Sequence, residues 1–231
     1  MAAAVDPPAA EETRPDRERL REGIRAGLPL GLAALVLSFS FGVVARPVMG
    51  SVAPIVMSVI LFAGSAQFAA LAVLQGGGGA FAAILAGVLL NLRFAPMGIA
   101  LAPSMRGGRW RRALTGQAVV DASWAIANRG GGRFDPLVML GATLPQYPMW
   151  VLGTVLGVVL GGLVGDPLTL GLDAIFPAFF LALLVPELRD RRGVATALIG
   201  AGIALVLVPV APAGVPIIAA SAAALVGLAR R

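Results

Sequence analysis

The chain has no cysteine, no histidine and no lysine. Without cysteine there is no disulfide framework and no thiol chemistry. Without histidine the commonest general base and metal ligand is gone. The triplet Gly64-Ser65-Ala66 superficially resembles a nucleophile turn, but no histidine or lysine exists to activate the serine. No metal-ligand cluster and no P-loop can be read, so an enzyme, a cofactor and an ATP motor all have little support. Charge is scarce too. Charged residues make up 13% of the chain, against about 25% in a soluble domain. Six of the twelve acids lie in the first 22 residues, which leaves the rest poorer still.

What is present is hydrophobic length. Of 231 residues 58% are hydrophobic, and the mean hydropathy is +0.89. Apolar runs of roughly 20 residues recur from Ile24 onward, and a hydrocarbon layer needs about 20 such residues per helix. Short alternating segments of a barrel are not visible. The expected fold class is all-α: a polytopic membrane helix bundle of seven or eight transmembrane segments. Every cation is arginine and the net charge is +6; codon composition explains that bias, and nucleic acid is not an expected partner. The arginines lie in the N-terminal tail and in short loops, where they orient helices. Arg14, Arg17, Arg19, Arg21 and Arg25 place the N-terminus in the cytoplasm and the protein in the cell membrane, in contact with lipid.

Residues 1–23 are polar and read as a disordered cytoplasmic tail rather than a signal peptide, with a short amphipathic surface helix over 16–24. Residues 24–228 read as one transmembrane domain. Its segments run over about 24–45, 52–74, 80–102, 113–128, 137–164, 168–188, 193–210 and 215–228. A weak internal repeat relates about 24–102 to about 137–210, with 113–128 as a linker helix and 215–228 as a terminal helix. Pro29 precedes Gly42-Val-Val much as Pro145 precedes Gly157-Val-Val, and Phe62 and Phe176 follow at similar distances. Matching breaks are expected in segments two and six, near Gly64–Gln67 and near Pro177–Ala178. Such interruptions in corresponding halves point to a substrate site. If all eight segments cross, the cluster Arg106–Arg112 falls outside, against the positive-inside rule. A fourth segment that spans makes the repeats parallel; one that does not makes them inverted.

The polar residues at depth carry the functional reading, because a charge in the hydrocarbon costs about 2.5–3.5 kcal/mol on insertion scales. Gln67, behind Gly64 and Ser65, is either a substrate contact at a helix break or an interhelical hydrogen bond. Arg93, two residues after Asn91, is either a carboxylate-binding cation or half of an ion pair with Asp121 or Asp173. Asp121 is the better acid at depth for a proton or an ammonium. Pro177 marks the second break. Trp110, Trp124, Trp150 and Tyr147 read as interface-belt residues.

Phe62-Ala-Gly-Ser-Ala-Gln-Phe68, Asn91-Leu-Arg93, Leu101-Ala-Pro103, the Asp121 segment and Gly171-Leu-Asp173-x-x-x-Pro177-Ala-x-Phe occur in that order. In these motifs the chain resembles the AzlC-type large subunit of branched-chain amino-acid exporters, the LIV-E family, over about residues 22–228. Such proteins often read Asp-Glu-x-Phe where this chain has Asp121-Ala122-Ser123-Trp124; the missing acid bears on substrate range and coupling more than on fold. The resemblance implies efflux of Leu, Ile, Val and Met and a small, separately encoded helical partner of the AzlD type. The sequence therefore supports a gradient-driven exporter first, a non-transporting membrane scaffold or assembly subunit second, and a channel third. For a transporter, Gly64, Ser65, Gln67, Asn91, Arg93, Asp121 and Pro177 form the expected substrate-binding set.

Overall fold

A computed structural model describes residues 14–105, 107–130, 132–163, 191–211 and 215–223, with isolated positions between 171 and 188. The described chain is helical; its only extended pairing is an isolated bridge between Asn128 and Phe134. The helices are α1 (Asp16–Met49), α2 (Ala53–Leu61), α3 (Gly64–Gln75), α4 (Ala80–Asn91), α5 (Phe94–Leu101), α6 (Arg109–Gly116), α7 (Asp121–Ala127), α8 (Pro136–Leu160), α9 (Arg191–Leu207) and α10 (Val215–Ser221). Among the described residues three stretches are long and apolar enough to cross a membrane: Asp16–Met49, Ala80–Ser104 and Pro136–Leu163.

These stretches correspond to expected segments one, three and five. The other segments differ. Segment one begins at Asp16, not Ile24, so the short helix expected over 16–24 is continuous with it. Asp16 and Glu18 sit in the first turn, where negative charge is favoured by the helix dipole. Residues 1–13 lie outside the described residues. Segment two is broken into α2 and α3. Segment four is two short helices, α6 and α7, of 8 and 7 residues. The link between them is held by side chains: Ser123 Oγ donates to Ala118 O at 2.7 Å, and Thr143 Oγ1 donates to the same carbonyl at 2.9 Å. Of segment six only isolated positions are described; Asp173, Phe176, Pro177 and Phe179 lie outside the described residues, and so does the Pro177 side of its expected break.

The chain divides into two compact units, Met1–Ala34 with Pro96–Met149, and Leu35–Ala95 with Trp150–Arg231. In the first unit the start of α1 packs on the start of α8 through small residues. A Cβ on Gly23 would strike Val138 O and lie 2.8 Å from Ala142 N. Further along, Gly31 faces Pro145 and Met149. Position numbers rise together, so the two helices run parallel. Close backbone approach of this kind is what packing in lipid rewards. The charged end of this unit is tied by Arg19, which grips Asp135 with two bonds of 2.7 and 2.8 Å, and by Arg129, which meets Glu22 at 2.6 Å. Asp135 also accepts from the N–H of Leu137 and Val138 and so caps α8. Burial raises the Asp135 carboxyl, but the Arg19 and backbone hydrogen bonds and the Arg19 charge outweigh it and hold it below its ordinary 3.8. Ser104 Oγ accepts from Phe134 N at 3.3 Å, and Trp124 stacks on Phe134 with centroids 4.8 Å apart.

In the second unit the later parts of α1 and α8 pack in the same parallel sense. Gly42 faces Thr154 to Val158, and Gly161 faces Val43. Arg46 closes this contact by donating to Val158 O at 2.8 Å. Phe41, Ala45 and Leu71 form a core to which Phe68 adds an edge-on ring contact at 5.4 Å. α3 and α4 form a tight hairpin through Gly76–Gly79, and α10 packs against both α9 and α4.

Candidate functional site

The second unit holds the break between α2 and α3, and polar side chains gather around it. Phe62 stands at φ 41°, ψ 47°, the one non-glycine residue at positive φ among the described residues. A bulky residue in that region is strained. Its ring is held in place, 7% exposed and edge-on to Trp150 at 6.4 Å. Ala63 is extended at φ −139°, ψ 83°, and α3 begins at Gly64. The break therefore lies just before the expected Gly64–Gln67. Gly64 is needed for a different reason: a Cβ there would lie 2.5 Å from Trp150 Cη2.

Two polar groups form at this point, with opposite character. The first centres on Gln67, which is fully buried. Its Oε1 accepts from Trp150 Nε1 at 2.9 Å, and its Nε2 donates to Ser58 Oγ at 2.8 Å. Ser58 Oγ and Thr154 Oγ1 share a bond of 2.7 Å, and Thr154 donates on to Trp150 O at 3.1 Å. Three helices, α2, α3 and α8, are joined by one closed set of bonds. Of the two roles left open for Gln67 by the sequence, this geometry is that of the interhelical hydrogen bond. Trp150 is not an interface residue but 5% exposed. Trp124 likewise turns inward and donates to Met97 O at 3.3 Å. Trp110 is 85% exposed. Ser58 and Thr154 were not singled out by sequence. The available signal was spacing: Thr154 stands one helical turn after Trp150.

The second group centres on Arg93, in the turn between α4 and α5. Its Nη2 donates to Ser65 Oγ at 2.9 Å, and its guanidinium lies 5.0 Å from the centroid of Phe94. Ser65 is 4% exposed and stands in the first turn of α3. The first backbone N–H groups of a helix have no partner within it and carry partial positive charge. A cation at that end is the reverse of the usual preference, and the combination of guanidinium, hydroxyl and helix N-terminus favours an anion. Asn91 closes α4 two residues earlier, and its Oδ1 is buried without a hydrogen-bond partner among the described residues. Ser65 and Arg93 are thus in contact, and Gly64 and Asn91 stand beside them in the chain. Asp121 opens α7, in the first unit. Pro177 lies outside the described residues. Among the described residues no group of acids could hold a metal ion.

The AzlC protein family matches residues 29–164, which include the break, Ser65, Gln67, Asn91 and Arg93. The chain belongs to the AzlC family. Among its relatives is the inner membrane protein YgaZ of Escherichia coli, 28% identical over 85% of this chain and 86% of that one. An uncharacterized membrane protein of Archaeoglobus fulgidus is 31% identical over 80% and 83%. The branched-chain amino acid transport protein AzlC of Bacillus subtilis is 26% identical over 77% and 71%. No solved structure matches the chain. As an AzlC-family chain with membrane-length apolar helices, it is a membrane protein of a transport family.

Proposed function

We propose that this AzlC-family chain is the large subunit of a gradient-driven exporter of Leu, Ile, Val and Met across the cytoplasmic membrane. It acts with a small AzlD-type helical subunit. The observation that carries the reading is the α2–α3 break with Arg93 docked at the start of α3. A zwitterion at depth needs both charges met, since a buried unpaired charge costs several kcal/mol. The carboxylate goes to Arg93, Ser65 and the backbone N–H groups of Gly64 to Ala66 that open α3; the ammonium goes to Asn91 Oδ1. Asp121 is the candidate proton carrier. Gln67 holds the helices that frame the break. An apolar cavity discriminates poorly between side chains one methylene apart, about 1–3 kcal/mol, so a broad preference among aliphatic substrates follows.

Orientation also has support. Arg19, Ser104 and Asp135 share one end of the first unit, close to Arg111, Arg129 and Arg133. With that end cytoplasmic, the arginines obey the positive-inside rule, including the cluster that breaks it if all eight segments cross. Parallel α1 and α8 then require residues 50–135 to recross the membrane an odd number of times. Ala80–Ser104 supplies one crossing. Segment two enters and leaves on the same side, since α2 and α3, of 9 and 12 residues, reach only about 14 and 18 Å. The repeats are parallel under this arrangement even though segment four does not span.

Valine efflux from loaded vesicles under an imposed proton gradient tests the function. The large chain with its partner exports valine, either chain alone does not, and Leu, Ile and Met compete while Lys and Glu do not. Equal competition by Lys or Glu would overturn the aliphatic-zwitterion site.

A further inference from the structure

The first unit contains a cavity of about 480 Å³ at its arginine-rich end, lined in part by Asp16, Arg19, Arg111, Arg129, Arg133 and Asp135. Its charges do not balance. Asp135 is gripped by Arg19, which also lies 3.4 Å from Asp16. Arg129 is met by Glu22 at 2.6 Å. Arg111 and Arg133 have no carboxylate partner among the described residues. Two arginines without a carboxylate partner give the cavity an excess of positive charge, which favours an anion.

A second observation says what kind of anion. Arg111 belongs to α6, whose Trp110 is 85% exposed and whose Leu114 is 74% exposed. These two stand one turn apart on one face, flanked by Arg109 and Arg112. A short helix with an aromatic and an aliphatic residue on one side and cations around them has the pattern of an interfacial helix. A free anion has no use for Trp110 and Leu114. A lipid does, because its phosphate and its acyl chains need both chemistries side by side.

We propose that this arginine-lined cavity binds the phosphate of an anionic phospholipid, with Trp110 and Leu114 of α6 seated at the level of the glycerol and upper acyl chain. Arg111 and Arg133 contact the phosphate; Arg19 and Arg129, already paired, set the wall. The assignment is independent of the transported substrate.

Thermal unfolding of the purified full chain in neutral detergent tests it, with phosphatidylglycerol, phosphatidylcholine and inorganic phosphate as probes. Phosphatidylglycerol raises the melting temperature saturably, and phosphatidylcholine does not. Arg111→Gln with Arg133→Gln weakens the phosphatidylglycerol response roughly thirtyfold, at about 1 kcal/mol per arginine near a lipid surface. Neither arginine is in an ion pair among the described residues, so the double variant melts with the wild type in the absence of lipid. If it does not fold, each single variant is read instead, with bound lipid counted by native mass spectrometry. Trp110→Ala weakens phosphatidylglycerol binding and leaves any phosphate response unchanged. Equal stabilisation by phosphatidylcholine, or undiminished phosphatidylglycerol binding in the arginine variants, overturns the proposal. Inorganic phosphate that matches phosphatidylglycerol at equal concentration, with Trp110→Ala silent, overturns the lipid and leaves a free-anion site.

Discussion

Gln67 and Arg93 are both polar residues in apolar segments of one unit, and they are used in opposite ways. The Gln67 amide is closed: its oxygen and nitrogen are engaged by Trp150 and Ser58, and the next link returns to the Trp150 carbonyl. Arg93 differs in where it is held: it is brought to a hydroxyl at a helix N-terminus, a place where an anion rather than a cation is at home. Depth in an apolar segment alone does not separate these cases, since it makes any polar group expensive. What separates them is the place in which each group is held. A closed set of bonds stabilises the bundle; a cation held with a hydroxyl at a helix N-terminus favours an anionic ligand.

The sharpest way to break that comparison is Arg93→Ala. It leaves a substrate carboxylate without its cation, and valine efflux should fall by at least about a hundredfold, equivalent to roughly 2.7 kcal/mol. The protein should still insert and melt near the wild-type temperature. Normal transport by this variant would make Arg93 structural and remove the distinction. Gln67→Leu should behave the other way round. It strips partners from Trp150 Nε1 and Ser58 Oγ, at about 1–3 kcal/mol for each buried group left unsatisfied. Thermal unfolding should drop clearly, while valine affinity of the remaining folded protein is retained. An affinity loss with unchanged melting would place Gln67 in the binding site after all.

Asn91→Leu is a smaller test of the same idea. A buried acceptor without a partner costs stability in the apo protein, so replacing it with an apolar side chain should hold or slightly raise the melting temperature. Valine binding should weaken about tenfold, the scale of one charged hydrogen bond. Stabilisation without any loss of binding would show that Asn91 Oδ1 does not meet the ammonium.

Much of this was legible in the sequence, and the failures have identifiable causes. The helical membrane class follows from run length and low charge. The break in segment two was legible from Gly64-Ser65, but displaced: Gly64 makes room for Trp150, and the chain turns at Phe62–Ala63 instead. Trp150 was misplaced at the interface because composition cannot tell an inward from an outward face. The α1–α8 contact was available in the four-residue spacing of Gly23, Gly27 and Gly31, and of Gly153, Gly157 and Gly161, a known pattern of close helix approach. The split of segment four was not legible, because what ends α6 and starts α7 includes Thr143, far away in sequence.

Asp135 extends the comparison to a charged group of the first unit, and the expected effect is the smallest. It is closed in the sense of Gln67: Arg19 binds both oxygens, and two backbone N–H groups bind Oδ1. Its carboxyl lies below the ordinary 3.8 despite burial. The sign follows from linkage. A carboxyl whose folded value is depressed binds protons less readily than in the unfolded chain, so its contribution is fully present above the unfolded value and is lost as pH falls through the folded one. Between pH 5 and 8 the melting temperature should therefore not respond to this group. Below about pH 4 it should decline, and Asp135→Asn should start lower and lack that part of the decline. Valine affinity of the folded protein at neutral pH should be the same in the variant. If Asp135→Asn instead abolished binding while melting normally, a closed cluster would be acting as a binding site, and a closed set of bonds would no longer mark a structural role.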